Sequence, residues 1–195
     1  LLGVHRKLES AENLLFDQGI AVSSSESCAI ASHAAKAIIE KHSTEPGENT
    51  AILPGLLPLV VRLDAILTEA EMRAEDLELN GGEHRILGEL FHASARTSRA
   101  ADCYRMANQM DPEDSASLRS LARIQRESGE LETLDRTLER LLATSPDDLE
   151  ALAEQAAILV GSDDERYDRN KTRLIALGEP YHRSAQDRQY CPLGF

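Results

Sequence analysis

The chain has no tryptophan and only seven phenylalanines and tyrosines among its 195 residues. A core without large rings is assembled from leucine, alanine and isoleucine, which favours helices over a β-sandwich or barrel. Cysteine is scarce as well. Cys28, Cys103 and Cys191 are an odd number, spread along the chain with no Cys-x-x-Cys pair, so no disulfide framework is expected. Long apolar runs are missing too. The longest covers residues 51–61 and contains Pro54 and Pro58, well short of the ~20 residues of a membrane helix. The first four residues are too few for a signal-peptide core, and the cytoplasm is the expected compartment. Basic charge is outnumbered, 21 Lys and Arg against 34 Asp and Glu, for a net charge of −13. Such a field repels phosphate backbones and anionic headgroups, so neither nucleic acid nor a membrane surface is the expected partner.

What the sequence does contain is a period. Pro112, Pro146 and Pro180 are each 34 residues from the next. Counted back from Pro112, residues 81–114 place Leu87, Gly88, Phe91, Ala100, Tyr104 and Ala107 at helical spacings in two runs. Residues 115–148 repeat the pattern with Leu118, Leu121, Ala122, Leu134, Leu138 and Leu141. A third copy over 149–182 opens with Leu152, Ala156 and Leu159 and then fades, keeping Ile175 and Pro180.

This is the pattern of a helical hairpin, with Gly88 and Ala100 where two antiparallel helices approach most closely. Capping chemistry supports it. Asp111-Pro112 and Ser145-Pro146 read as a capping oxygen before a first-turn proline, Ser128-Gly129 as a helix stop, and Ser162 with Glu165 as a capping box. Helices are expected over 82–95, 98–110, 113–127, 130–143, 147–160 and 163–177.

The set Leu87, Gly88, Phe91, Ala100, Tyr104, Ala107 and Pro112, on a 34-residue period, resembles the signature of the tetratricopeptide repeat family. The resemblance is clear over 81–148 and weaker over 149–182. It implies an all-α fold, a right-handed superhelical solenoid of stacked antiparallel hairpins, with a concave surface lined by the first helix of each repeat. That surface is expected to bind a peptide or partner helix, and the resemblance implies no catalysis. His84 stands where the family carries a large apolar residue, and Asp168 and Thr172 where it carries small and aromatic ones, so a looser third hairpin is expected.

Residues 1–80 carry no such signature. Helices are expected over 4–16 and 26–41, with Ser23 and Glu26 able to cap the second. A linker is expected over 43–50, and a further pair of helices over 51–79, the first distorted or stopped by Pro54, Gly55 and Pro58. This region reads as diverged hairpins or as a helical cap of the kind solenoid ends require. Residues 183–195 read as the start of a further helix or a tail.

The candidate site lies on the first helices. Arg119, Arg123 and Arg126 recur at i, i+4 and i+7 and share a face. In the 34-residue register they correspond to Arg85, Glu89 and His92. Guanidinium groups suit planar recognition of carboxylates, which points to an acidic segment of another protein; the alternative is an ordinary solvated helix face neutralised by Glu89 and Glu127. Glu89-x-x-His92 is also half of a di-iron motif, but that site needs a second copy and two more carboxylates. Asp163, Asp164 and Glu165 lack the glycine and alternation of a calcium loop. No phosphate loop, Gly-x-Ser-x-Gly, His-Glu-x-x-His or dinucleotide fingerprint is present, so neither catalysis nor a cofactor is expected. Cys103 is expected to be packed and inert, Cys191 exposed. The function expected is a non-catalytic adaptor, scaffold or chaperone-like module. The alternative is the recruiting or regulatory front of a larger enzyme, and self-association through the last hairpin is a third reading.

Overall fold

The computed structural model describes residues 1–16, 23–43, 55–162 and 164–186. The described residues are helical throughout, without a strand, and the chain forms two compact units, Leu1–Ser117 and Leu118–Phe195.

In the first unit, α1 (Leu2–Phe16), α2 (Ser24–Ser43) and α3 (Leu57–Glu69) pack on one another. Leu8 and Ala11 of α1, Ala31, Ala35 and Ile38 of α2 and Leu59, Leu63 and Ile66 of α3 fill the space between them and are buried. Ser23 and Glu26 cap α2 reciprocally: the Ser23 amide donates to Glu26 Oε2 at 3.0 Å and the Glu26 amide to Ser23 Oγ at 3.3 Å. Pro58 falls in the first turn of α3, where no amide hydrogen is needed, so it opens the helix rather than distorting it. Ser43, expected to open the linker, ends α2, and Pro54 and residues 44–50 lie outside the described residues. Where a second helix was expected before residue 80, the chain forms a single 3₁₀ turn, Ala74–Asp76. The backbone leaves α3 through Glu71 at φ 53°, and Ala74, Leu77 and Leu79 are buried. The Glu78 amide donates to Ser32 Oγ on α2 at 2.7 Å, fixing this segment to the helix.

The next pair, α4 (Gly81–Ala93) and α5 (Thr97–Met110), makes the most extensive helix contact within the unit. Leu87, Phe91, Ala100, Tyr104 and Ala107 are all fully buried between or beside them, as the spacing expects. Ala95, in the turn, holds φ 59°, and its counterpart Gly129, 34 residues on, holds φ 72°. A side chain in this left-handed region costs about 1–2 kcal/mol, of which glycine's greater chain entropy returns about half. Ala95→Gly is therefore expected to raise stability by about 0.5–1 kcal/mol, read as a higher denaturation midpoint at unchanged slope.

In the second unit, α6 (Ser115–Ser128, from Leu118 onward), α7 (Leu131–Thr144) and α8 (Leu149–Ile158) share a core of Leu118, Ala122, Leu134, Leu138, Leu141 and Ala151. The last helix, α9 (Glu165–Gln186), packs on α8 and runs well past the expected end at 177. The α6 helix stops at Ser128-Gly129 as expected, but the N-caps differ from the expected ones. Asn80, Asp114 and Asp148, spaced by 34 residues, accept from the amides of Glu83, Ser117 and Ala151 at 2.9, 3.2 and 3.0 Å. Pro112 and Pro146 lie in the turns just before, where a fixed φ suits a turn rather than the first helical position. At α9, Asp164 rather than Ser162 accepts from the Arg166 amide, at 2.9 Å.

The third hairpin substitutes polar bonds for the fading apolar pattern. Asn170 Nδ2 donates to Gln155 Oε1 at 2.9 Å, and Gln155 Nε2 donates to Asp135 Oδ1 at 2.9 Å. Arg166 Nη2 reaches Asp135 Oδ2 at 3.0 Å. Gln155 and Asn170 are buried, and satisfied networks of this kind specify packing as apolar contacts do.

Candidate partner-binding groove

Asp114 and Asp148 set the starts of α6 and α8, and with them the direction in which both helices present side chains. On α6, Leu118 and Ala122 turn to the core. The remaining face carries Arg119, Arg123 and Arg126, which line a cleft of about 190 Å³ in the second unit. Asp148, Glu150 and Glu154 line its other side, and Ala122, Leu138, Leu141 and Ala151 form an apolar floor.

The three acids were not part of the expected site. Arg119 Nε donates to Asp148 Oδ2 at 2.6 Å. The Asp148 side chain is only 9% exposed. Burial alone would raise its pKa, but the Ala151 amide and the Arg119 guanidinium outweigh that and hold it below the usual carboxylate value. Arg126 is held more loosely: Nη1 lies 3.5 Å from Glu150 Oε1 and 3.5 Å from Glu154 Oε1, beyond the ~2.7–3.2 Å of an ordinary hydrogen bond. The Glu154 side chain is 14% exposed. Burial, with Glu150 nearby, pushes its carboxyl above the ordinary value despite Arg126. Arg119 and Arg126 are each about half exposed, at 50% and 47%.

The register positions of the three arginines are Ala153 and Ala157 on α8 and Val160 just past its end, all exposed. The corresponding face of α4 belongs to the first unit. There Arg85 Nη1 donates to Glu89 Oε1 at 3.0 Å, one helical turn on, and Arg85 Nε lies 3.7 Å from Asp114 Oδ2. His92 is half-buried on the same helix. The structure thus gathers Arg119, Arg123 and Arg126 around one cleft and turns Arg85 toward acids of its own unit. The α8 acids were legible in principle: Asp148 repeats Asp114 in the register, and Glu150 and Glu154 share a helix face.

Cys103 is buried and its thiol is pushed up to about 12, chiefly by burial, so thiolate chemistry is closed to it. Cys28 is half-buried with a free thiol, and Cys191 lies outside the described residues. Among the described residues no three His, Cys, Asp or Glu side chains gather as a metal site would need, and no helix is long and apolar enough to cross a membrane.

No protein-family model and no curated protein matches the chain. Solved structures resemble it in fold. YrrB, a TPR protein with an unusual peptide-binding site, superposes with a TM-score of 0.51 at 12% identity, covering 96% of this chain and 87% of that one. MamA gives a TM-score of 0.49 at 12% identity, covering 98% of both chains. At this identity the likeness to YrrB speaks to fold alone, and it agrees with the 34-residue register: the chain has a tetratricopeptide-like, all-helical solenoid fold.

Proposed function

We propose that this protein is a non-catalytic interaction module whose second unit holds an extended segment of another protein in the α6–α8 cleft. Arg119, Arg123 and Arg126 receive the partner's acidic groups, while Arg85, Glu89 and His92 on α4 form a secondary contact face. One observation carries this reading: half-exposed guanidinium groups stand beside a cleft with an apolar floor, the combination that lets a planar cation meet a carboxylate while a chain packs against carbon. The peptide-binding site of YrrB, on a similar fold, supports it. The chain-wide negative charge weighs little against contacts this close, because it is screened beyond ~8 Å at physiological ionic strength.

The test is affinity capture with the intact chain and with an Arg123→Glu, Arg126→Gln variant. Arg119 is spared because the buried Asp148 relies on it. The variant is expected to lose the bound partner at least tenfold while it keeps its helical circular dichroism and loses no more than about 1 kcal/mol of unfolding free energy, the order of an exposed ion pair. Retention of every partner by the variant would move the site off this cleft.

A further inference from the structure

Resting on that reading, we infer that the segment this cleft accepts carries two acidic residues three positions apart in a polyproline II stretch, one carboxylate on Arg119 and the other on Arg126. Arg119 and Arg126 are seven residues apart on α6, which at 1.5 Å per residue separates them by ~10 Å along the helix. A polyproline II chain has three residues per turn and rises ~3.1 Å per residue, so side chains i and i+3 project from one side ~9 Å apart. A β-strand sends i and i+3 to opposite faces. A helical partner would need its acids at i and i+7, two turns apart on one face.

The two guanidiniums also have capacity to give. Arg119 meets Asp148 through Nε, leaving the outer Nη edge of its fork for a second acceptor. Arg126 holds Glu150 and Glu154 only at 3.5 Å, and a carboxylate approaching at ~2.8 Å in bidentate geometry replaces such contacts at a gain. The residues between the two acids face the apolar floor of Ala122, Leu138, Leu141 and Ala151. Proline and other apolar residues fit there, and proline holds the conformation in advance, which reduces the entropy lost on binding. Charge and spacing together therefore define the occupant as acid-x-x-acid with apolar x.

The experiment is fluorescence anisotropy of the full chain with four labelled peptides: a Glu-Pro-Pro-Glu core, the same composition as Glu-Glu-Pro-Pro, a Gln-Pro-Pro-Gln core, and an alanine-based helix with glutamates seven apart. The first is expected to bind at least tenfold tighter than each of the others. Arg126→Gln should erase its advantage over Glu-Glu-Pro-Pro. Equal affinity for the first two peptides, both weakened by Arg123→Glu, would overturn the spacing and leave the acidic-segment reading standing. Tighter binding of the helical peptide would overturn the polyproline II conformation. No binding of any acidic peptide would overturn both this inference and the reading beneath it.

Discussion

Gly88→Leu is expected to destabilise the first unit by about 1–2 kcal/mol and to lower its melting temperature by several degrees. A Cβ at residue 88 would lie 2.8 Å from Cε1, 3.0 Å from Cδ1 and 3.1 Å from Cζ of Tyr104, and that ring is fully buried with no free side to move toward. Overfilling a packed crossing costs about 1–3 kcal/mol, more where backbone has to shift. Leucine recovers something close to 1 kcal/mol because glycine is a poor helix residue, so the net loss is smaller than the steric cost alone. Gly88→Ala brings the same Cβ without the longer branch and should fall between parent and leucine variant. A thermal melt of the leucine variant that matches the parent would show that α4 and α5 are not held this close.

His84→Leu is expected to act in the opposite direction. His84 is fully buried on α4, and neither ring nitrogen has a hydrogen-bond partner. A buried polar group without a partner costs about 1–3 kcal/mol by mutational measures, so an apolar side chain of similar volume should stabilise the unit by about 1–2 kcal/mol. Acid should enlarge the difference. Burial lowers the His84 pKa below its ordinary value, against a smaller opposing pull from Glu83, so the unfolded chain takes up the proton first. The associated stability is fully present above pH ~6.5 and drains as the pH falls through that value toward the folded-state pKa. Denaturant titrations from pH 7.5 to 5 should show the parent losing stability that the leucine variant keeps. Parallel losses in the two proteins would place the acid sensitivity elsewhere.

The hairpins were legible because their signal is local and periodic. Leu87, Phe91, Ala100 and Tyr104 meet across a three-residue turn, so helical spacing and a repeat length suffice to place them. The caps were misplaced by three residues because proline is a strong punctuator in either position; Asn80, Asp114 and Asp148 recur with the same period as the prolines and identify the true starts. The third hairpin was harder because Gln155 occupies the place of Leu87 and Leu121. Polarity at that position looks like decay of the pattern until Asp135 and Asn170 are seen to satisfy it. The cleft was half legible. Three arginines on one helix face announce themselves, and Asp148 follows from the 34-residue register, whereas the apolar period leaves open what the polar positions of α8 carry, so Glu150 and Glu154 do not follow from it.

Arg99 bears on where this chain can be divided. Its guanidinium donates from Nε to Asp64 Oδ1 at 3.1 Å, from Nη1 to the Met72 carbonyl at 2.5 Å and from Nη2 to Thr68 Oγ1 at 3.1 Å. Every one of these acceptors precedes residue 81, where the repeat signature begins. A fragment trimmed to the signature would leave that cation only 19% exposed in the parent, now without its acceptors, and would uncover the face of α4 that packs on α2 and α3. The boundary of the sequence pattern is therefore not a boundary of folding: α2, α3 and the segment up to residue 80 supply part of the interior of the first recognisable repeat, and a minimal fragment of this unit has to include them.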